Sequence, residues 1–161
     1  MIIFIESVIL CLIFTIMVCI MMSNPIATLY NYPPKIQERV KSLDKYKEKI
    51  PTEKNKVVTK SLVALFIVIL FSLILRYING YTTFSEGFCY SLLIWTVVNF
   101  YDAIFMDIIW FCHSKKVVIE GTEDMTYEYH NYWYHIKQSL IGEVIGAVVC
   151  LLIGFVIHFI L

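Results

Sequence analysis

The sequence predicts an all-α fold, a four-helix transmembrane bundle with amphipathic interfacial helices on the cytoplasmic side. Three observations predict it. Hydrophobic residues make up 59% of the chain and charged residues 16%, with a mean hydropathy of +0.73, where a soluble domain is roughly 45–50% apolar. Four apolar runs, residues 2–22, 61–78, 87–111 and 139–161, have about the 20-residue length needed to cross a hydrocarbon core of roughly 30 Å. The cations are also unevenly placed: residues 23–60 hold nine Lys or Arg, residues 112–137 hold three and residues 79–86 none. By the positive-inside rule, loops 23–60 and 112–138 are cytoplasmic and 79–86 is a short outer loop. Both termini then lie on the outer side of the cell membrane, in a single integral membrane domain.

The first run carries Glu6 early, with no basic residue before it and no small-residue cleavage site after it. It is expected to remain as a helix rather than act as a signal peptide. Ser23, Asn24 and Pro25 end it, and Tyr32, Pro33 and Pro34 force an extended turn. From Lys35 to Ile50, Ile36, Val40, Leu43, Tyr46 and Ile50 recur at spacings of three or four among cations. That pattern predicts an amphipathic helix lying at the membrane surface, its charges set against anionic lipid or against a partner.

In the second cytoplasmic loop Gly121 and Thr122 precede acidic residues, which suggests a helix start with Thr122 as cap and the carboxylates on the positive end of the dipole. Tyr127, Tyr129, Tyr132, Trp133 and Tyr134 then form a dense aromatic group, expected as an interfacial belt before the fourth run. No internal repeat or low-complexity tract occurs. The five cysteines, Cys11, Cys19, Cys89, Cys112 and Cys150, form no C-x-x-C pair, so neither a disulfide framework nor a zinc ribbon is indicated.

The third and fourth runs carry the chemistry. At about 100° per residue, Trp95, Asn99, Asp102, Met106 and Trp110 share one arc of the third, with Asp107 beside it. Leu93, Ile94, Val97, Phe100, Tyr101, Ile104, Ile108 and Phe111 lie opposite. On the fourth, Ser139, Glu143, Gly146, Ala147, Cys150, Gly154 and His158 form a small and polar stripe, while Ile141, Val144, Ile145, Val148, Leu152, Phe155 and Phe159 face away. Small residues let helix backbones approach closely in lipid.

At about 1.5 Å per residue, Asp107 and Glu143 are expected some 6 Å inside the cytoplasmic boundary and Asp102 roughly 7 to 8 Å deeper. Intramembrane acids cost about 2.5–3.5 kcal/mol each on insertion scales and usually face a cavity, a partner or a path. Near the outer ends, Glu6, Arg76 and His158 are expected to form a separate, structural ion-paired cluster. A metal held by Asp107, Glu143 and His113 or His135 is chemically possible, but there is no H-E-x-x-H, and His130 and His135 fall on different helix faces. Neither a G-x-S-x-G, a P-loop nor a dinucleotide fingerprint occurs. No metal and no cofactor are therefore expected.

The segment DIIWFCHSKKVVIEGTEDM with HNYWYHIKQSLIG after it resembles sequences of a family of small, uncharacterised multi-pass membrane proteins of bacteria, over residues 99–142. The resemblance implies the four-span architecture and carries no activity. The leading functional expectation is non-enzymatic: a cytoplasm-facing, carboxylate-lined cavity that binds or passes a cation, a proton or a cationic amphiphile. Asp102, Asp107 and Glu143 supply the charge, Asn99 orientation, and Trp95 and Trp110 apolar or cation-π walls. The alternatives are a membrane enzyme acting on lipid, its acids and a histidine serving as acid and base or holding a metal, and an accessory subunit of a larger complex. The expected partners are the lipid bilayer and a second copy or another membrane protein, with no role for nucleic acid.

Overall fold

The computed structural model describes residues 2–161, with the side chains of all of these except residues 53–56. It is all-helical, with no strand among the described residues. In order come α1 (Ile2–Met21), α2 (Pro34–Ser42), α3 (Glu53–Tyr77), α4 (Phe84–Tyr101), a π-helical segment (Asp102–Trp110), α5 (Thr126–Tyr129) and α6 (Tyr132–Phe159). Short 3-10 turns stand between them, among them Asp44–Tyr46, Phe111–His113 and Lys115–Val117. Four helical stretches are long and apolar enough to cross a membrane: Ile2–Met21, Val57–Tyr77, Phe84–His113 and Thr126–Phe159. Their outward side chains suit only an apolar surrounding. Phe4, Leu12, Ile16 and Ile20 on α1 and Leu62, Leu65 and Phe66 on α3 are all exposed, and each would lose about 1.5–3 kcal/mol in water relative to burial.

The long helices begin earlier than their apolar runs, for reasons of local chemistry. At α4, the Glu86 carboxylate accepts from the Thr83 and Thr82 amides at 3.0 and 3.2 Å, and the Thr83 hydroxyl accepts from the Glu86 amide at 3.3 Å. This reciprocal capping box satisfies otherwise orphaned donors and starts the helix at Phe84, ahead of the apolar run at Gly87. α6 starts at Tyr132 because Asn131 Oδ1 accepts from the Tyr134 amide at 3.0 Å.

The chain divides into two compact units, Met1–Pro51 with Phe100–Ser139, and Thr52–Asn99 with Leu140–Leu161. The first has a core drawn from its two polar loops: Leu29, Tyr32, Ile36, Val40, Phe111, Cys112, Val117, Ile119 and Tyr129 are all buried together. α2 starts on Pro34, whose fixed φ suits the first helical position. It ends at Ser42, so the amphipathic pattern that runs on to Ile50 is broken into a helix and a 3-10 turn. Its apolar side is covered by protein, since Ile36 and Val40 are 0% exposed.

Hydrogen bonds tie this core together. The Tyr32 hydroxyl donates to the Val117 carbonyl and the Tyr134 hydroxyl to the Tyr32 carbonyl, both at 3.0 Å. Burial pushes the Tyr32 phenol well above its ordinary pKa, so it stays a neutral donor. Thr122 does not cap a helix. It is fully buried, its hydroxyl donates to the Ile119 carbonyl at 2.7 Å and shares a hydrogen bond with the Tyr129 hydroxyl, which holds the turn. Gly121 makes that turn with φ +94°, and a Cβ there would meet Leu43 Cδ1 at 2.8 Å. The aromatic group divides accordingly: Tyr129 is buried in the core, whereas Tyr127 and Trp133 point outward.

The second unit packs α3, α4 and the later part of α6 around Val68, Leu75, Ile153 and Ile157. α4 and α6 approach through glycine: a Cβ on Gly154 would lie 2.9 Å from the Phe84 carbonyl oxygen, and one on Gly87 would lie 2.7 Å from Ile157 Cδ1. Cys150 and Ser91 are buried in the same unit. Ile141, Val144, Ile145, Val148, Leu152, Phe155 and Phe159 of α6 are exposed, the outward face the periodicity predicts, but His158 of the opposite stripe is exposed as well, and Ile153 and Ile157 are buried. On α4 and beyond, Ile94 and Phe111 depart from the helical wheel, being 3% and 2% exposed.

Candidate functional site

The first unit holds a polar cluster built on the π-helical segment. There the Phe111 amide bonds back to both the Asp107 and the Met106 carbonyls, four and five residues earlier. In an α-helix residues five apart stand about 140° apart, whereas i→i+5 bonding widens the turn and narrows that angle. Asp102 and Asp107 are such a pair, and their charges act on one another. The widened turn also explains Phe111, which swings into the core rather than toward the face that a uniform helix assigns it.

α6 supplies the partner. His135 Nδ1 lies 3.3 Å from Asp107 Oδ2, with the imidazole 3% exposed and the carboxylate 29%. The Phe111 ring sits 5.0 Å from the imidazole and the Tyr134 ring 5.3 Å. Among the described residues His135 Nε2 is buried with no hydrogen-bond partner. A carboxylate on Nδ1 fixes the tautomer with the proton on that nitrogen and leaves Nε2 a bare acceptor. The charge of Asp107 also acts on Cys112 and Tyr134. Asp107, Cys112, Tyr134 and His135 thus belong to one neighbourhood, with Trp110 packed against the adjoining core.

The second unit holds a different cluster. Glu143 on α6 receives a hydrogen bond from the Thr96 hydroxyl on Oε1 and one from Asn99 Nδ2 on Oε2, the latter at 2.8 Å. Glycine makes this possible. Asn99 Oδ1 would lie 3.4 Å from a Cβ on Gly142, and a Cβ on Gly146 would overlap the indole of Trp95. Trp95 Nε1 is itself buried without a hydrogen-bond partner among the described residues.

Of the residues singled out from sequence, Asp102, Asp107, Trp110 and His135 fall in the first unit, and Trp95, Asn99 and Glu143 in the second. His113 is on the exposed side: its Nδ1 lies 3.1 Å from the Ile108 and Ile109 carbonyls and its Nε2 3.3 Å from the Tyr132 hydroxyl. Among the described residues no three His, Cys, Asp or Glu side chains are grouped to hold a metal ion. Glu6 lies in the first unit, while Arg76 and His158 lie in the second. There Arg76 donates to the Leu161 and Tyr81 carbonyls at 3.3 and 3.4 Å, and His158 lies 3.5 Å from the Thr82 carbonyl.

Two partnerships escape sequence reasoning. Thr96 carries no signal beyond standing three residues before Asn99 on α4. The Asp107–His135 pair has none: the run boundaries at Phe111 and Ser139 put Asp107 four residues inside and His135 four residues outside, so depth read from sequence pairs Asp107 with Glu143 instead. No protein-family model, no curated protein and no solved structure matches the chain.

Proposed function

We propose that the chain is a four-span membrane protein whose Asp102–Asp107 pair binds a cation or a proton reached from the cytoplasm. The observation that carries this reading is the π-helical turn, which holds two carboxylates within electrostatic reach inside an otherwise apolar helix. Two negative charges in such a place repel, and a bound positive charge relieves that repulsion. π-helical turns are also frequent at functional sites. Loops 23–60 and 112–138 are placed in the cytoplasm on the strength of their cations, with both termini outside the cell membrane. The 0% exposure of Ile36 and Val40 favours a cytoplasmic cap in which α2 keeps its charged side for lipid headgroups. Glu143, both of whose oxygens are engaged, is assigned to holding α4 against α6.

A membrane enzyme is the competing reading. It is favoured by the Asp107-oriented imidazole, the geometry of a general base.

The deciding experiment is the melting temperature of the purified protein against a panel of metal and organic cations and against pH. A ligand that binds only the folded state contributes about 2.7 kcal/mol at a hundredfold excess over Kd. The expected outcome is a rise with one class of cation or with protons that Asp102→Asn removes while the fold survives. A rise that persists in Asp102→Asn, or none with any cation or at any pH, ends the binding reading. Hydrolysis of lipid in vesicles that depends on His135 would put the enzyme ahead.

A further inference from the structure

We propose that the positive charge taken by the Asp102–Asp107 pair is a proton, delivered through the imidazole of His135. This rests on the carboxylate-pair reading above and adds the identity of the cargo and its route. The observation that carries it is a buried lone pair. His135 is 2% exposed and turns Nδ1 to Asp107 at 3.3 Å, while Nε2 finds no partner among the described residues. A buried acceptor left unsatisfied is destabilising, and in a native fold such a group calls for a water, an ion or a functional role.

A bare imidazole nitrogen backed by a carboxylate is the arrangement that accepts a proton. A metal on Nε2 would need further ligands, and no group of three is present among the described residues. A bulky organic cation would have to displace the aromatic rings of Phe111 and Tyr134 that pack on the imidazole.

The surrounding titratable groups fit the role. From the π-helical segment come Asp107, in contact, and Asp102 behind it. From the turn after it comes the Cys112 thiol, near Asp107 but not hydrogen-bonded to Nε2. From α6 itself comes Tyr134, whose hydroxyl is committed to the Tyr32 carbonyl.

The transfer balances. A proton arrives on Nε2, the Nδ1 proton moves to Asp107 Oδ2, and the products are a neutral Asp107 and a neutral imidazole carrying its proton on Nε2. Asp107 passes its proton to the Asp102 carboxylate. One pass delivers one proton and leaves the imidazole as its Nε2–H tautomer.

The experiment uses the full chain in lipid nanodiscs. Proton uptake after a downward pH jump is followed with an indicator dye by stopped flow, and the histidine nitrogens are observed by NMR of 15N-histidine-labelled protein. Asp102→Asn is expected to reduce the amount of proton taken up. His135→Gln is expected to slow uptake by about a hundredfold, the low end of what a positioned acid–base group contributes. Unlabelled by any variant at the site, His135 is expected to show Nδ1–H and a bare Nε2, its signal assigned by substituting His113, His130 and His158 in turn. An unchanged rate in His135→Gln, or a resting Nε2–H tautomer, overturns the relay. Uptake unchanged in both Asp102→Asn and Asp107→Asn overturns the carboxylate-pair reading beneath it. The NMR result stands even where His135→Gln fails to fold.

Discussion

The two units each contain carboxylates within an apolar helix, and they treat them in opposite ways. In the second unit Glu143 has a donor on each oxygen, both from α4, and the helices that carry them close on glycine. In the first unit Asp102 faces another carboxylate, and Asp107 leans on a histidine whose second nitrogen lacks a partner among the described residues. A carboxylate with its hydrogen bonds complete has little left to offer a ligand. On the proposed reading, one set against like charge and a half-satisfied imidazole takes a proton or a cation. The same residue type in the same apolar setting therefore reads as a clasp in one unit and as a site in the other.

The largest expected effect tests the clasp through its geometry. A side chain on Gly146 would overlap the Trp95 indole, so Gly146→Val must push α4 and α6 apart or force the indole out. Overpacking costs typically about 1–3 kcal/mol and occasionally more, and the melting temperature in detergent should fall accordingly. A variant as stable as the parent would mean that the helices are not held at this distance, and the contrast between the two carboxylate environments would lose its basis.

Next in size is the carboxylate itself. Glu143→Ala strands the Thr96 hydroxyl and one donor of Asn99, at a cost of about 1–3 kcal/mol for groups left unsatisfied in the interior. Asp102→Asn removes a repulsion and is expected to leave stability unchanged or raised. The pair of variants should therefore separate: Glu143→Ala loses stability and keeps the ligand-dependent rise in melting temperature, whereas Asp102→Asn keeps stability and loses the rise. A reversal of that pattern would exchange the roles of the two units.

Much of this architecture is written in short-range pattern. Four apolar runs announce four long helices, and on α6 the alternation of Ile141, Val144, Val148 and Leu152 with Gly146, Cys150 and Gly154 separates an outward face from a packed one. The Thr83–Glu86 capping box is also legible as T-x-x-E and accounts for α4 beginning at Phe84. What is not legible has two physical causes. A helical wheel assumes one angular step, and no residue between Asp102 and Trp110 declares the wider π turn that lets the charges of Asp102 and Asp107 act on one another and carries Phe111 into the core. An amphipathic pattern also states that Ile36 and Val40 need cover without stating by what. Their cover, Phe111, Val117, Ile119 and Tyr129, lies some 70 to 90 residues downstream, so lipid and protein are equally consistent with α2 taken alone.

The smallest expected effect bears on the one loose end within the clasp. Trp95 Nε1 is buried and unpartnered among the described residues, though it stands over Gly146, one turn of α6 from Glu143. Trp95→Phe removes that donor together with part of an apolar ring. Losing the smaller packing surface destabilises, while deleting an unsatisfied donor recovers part of the roughly 1–3 kcal/mol such a group costs. The two terms oppose, and the net change in melting free energy is expected to stay below about 1 kcal/mol, within the range of a tolerated hydrophobic swap. A loss of several times that would show that the indole N–H is hydrogen-bonded in the folded protein, to Glu143 or to a water between them. Glu143 would then have a third donor, and the second unit's polar cluster would be a more complete clasp than its two hydrogen bonds suggest. A Trp95→Phe variant that instead abolished the ligand-dependent stabilisation would move the binding site toward Glu143 and dissolve the division of labour between the two units.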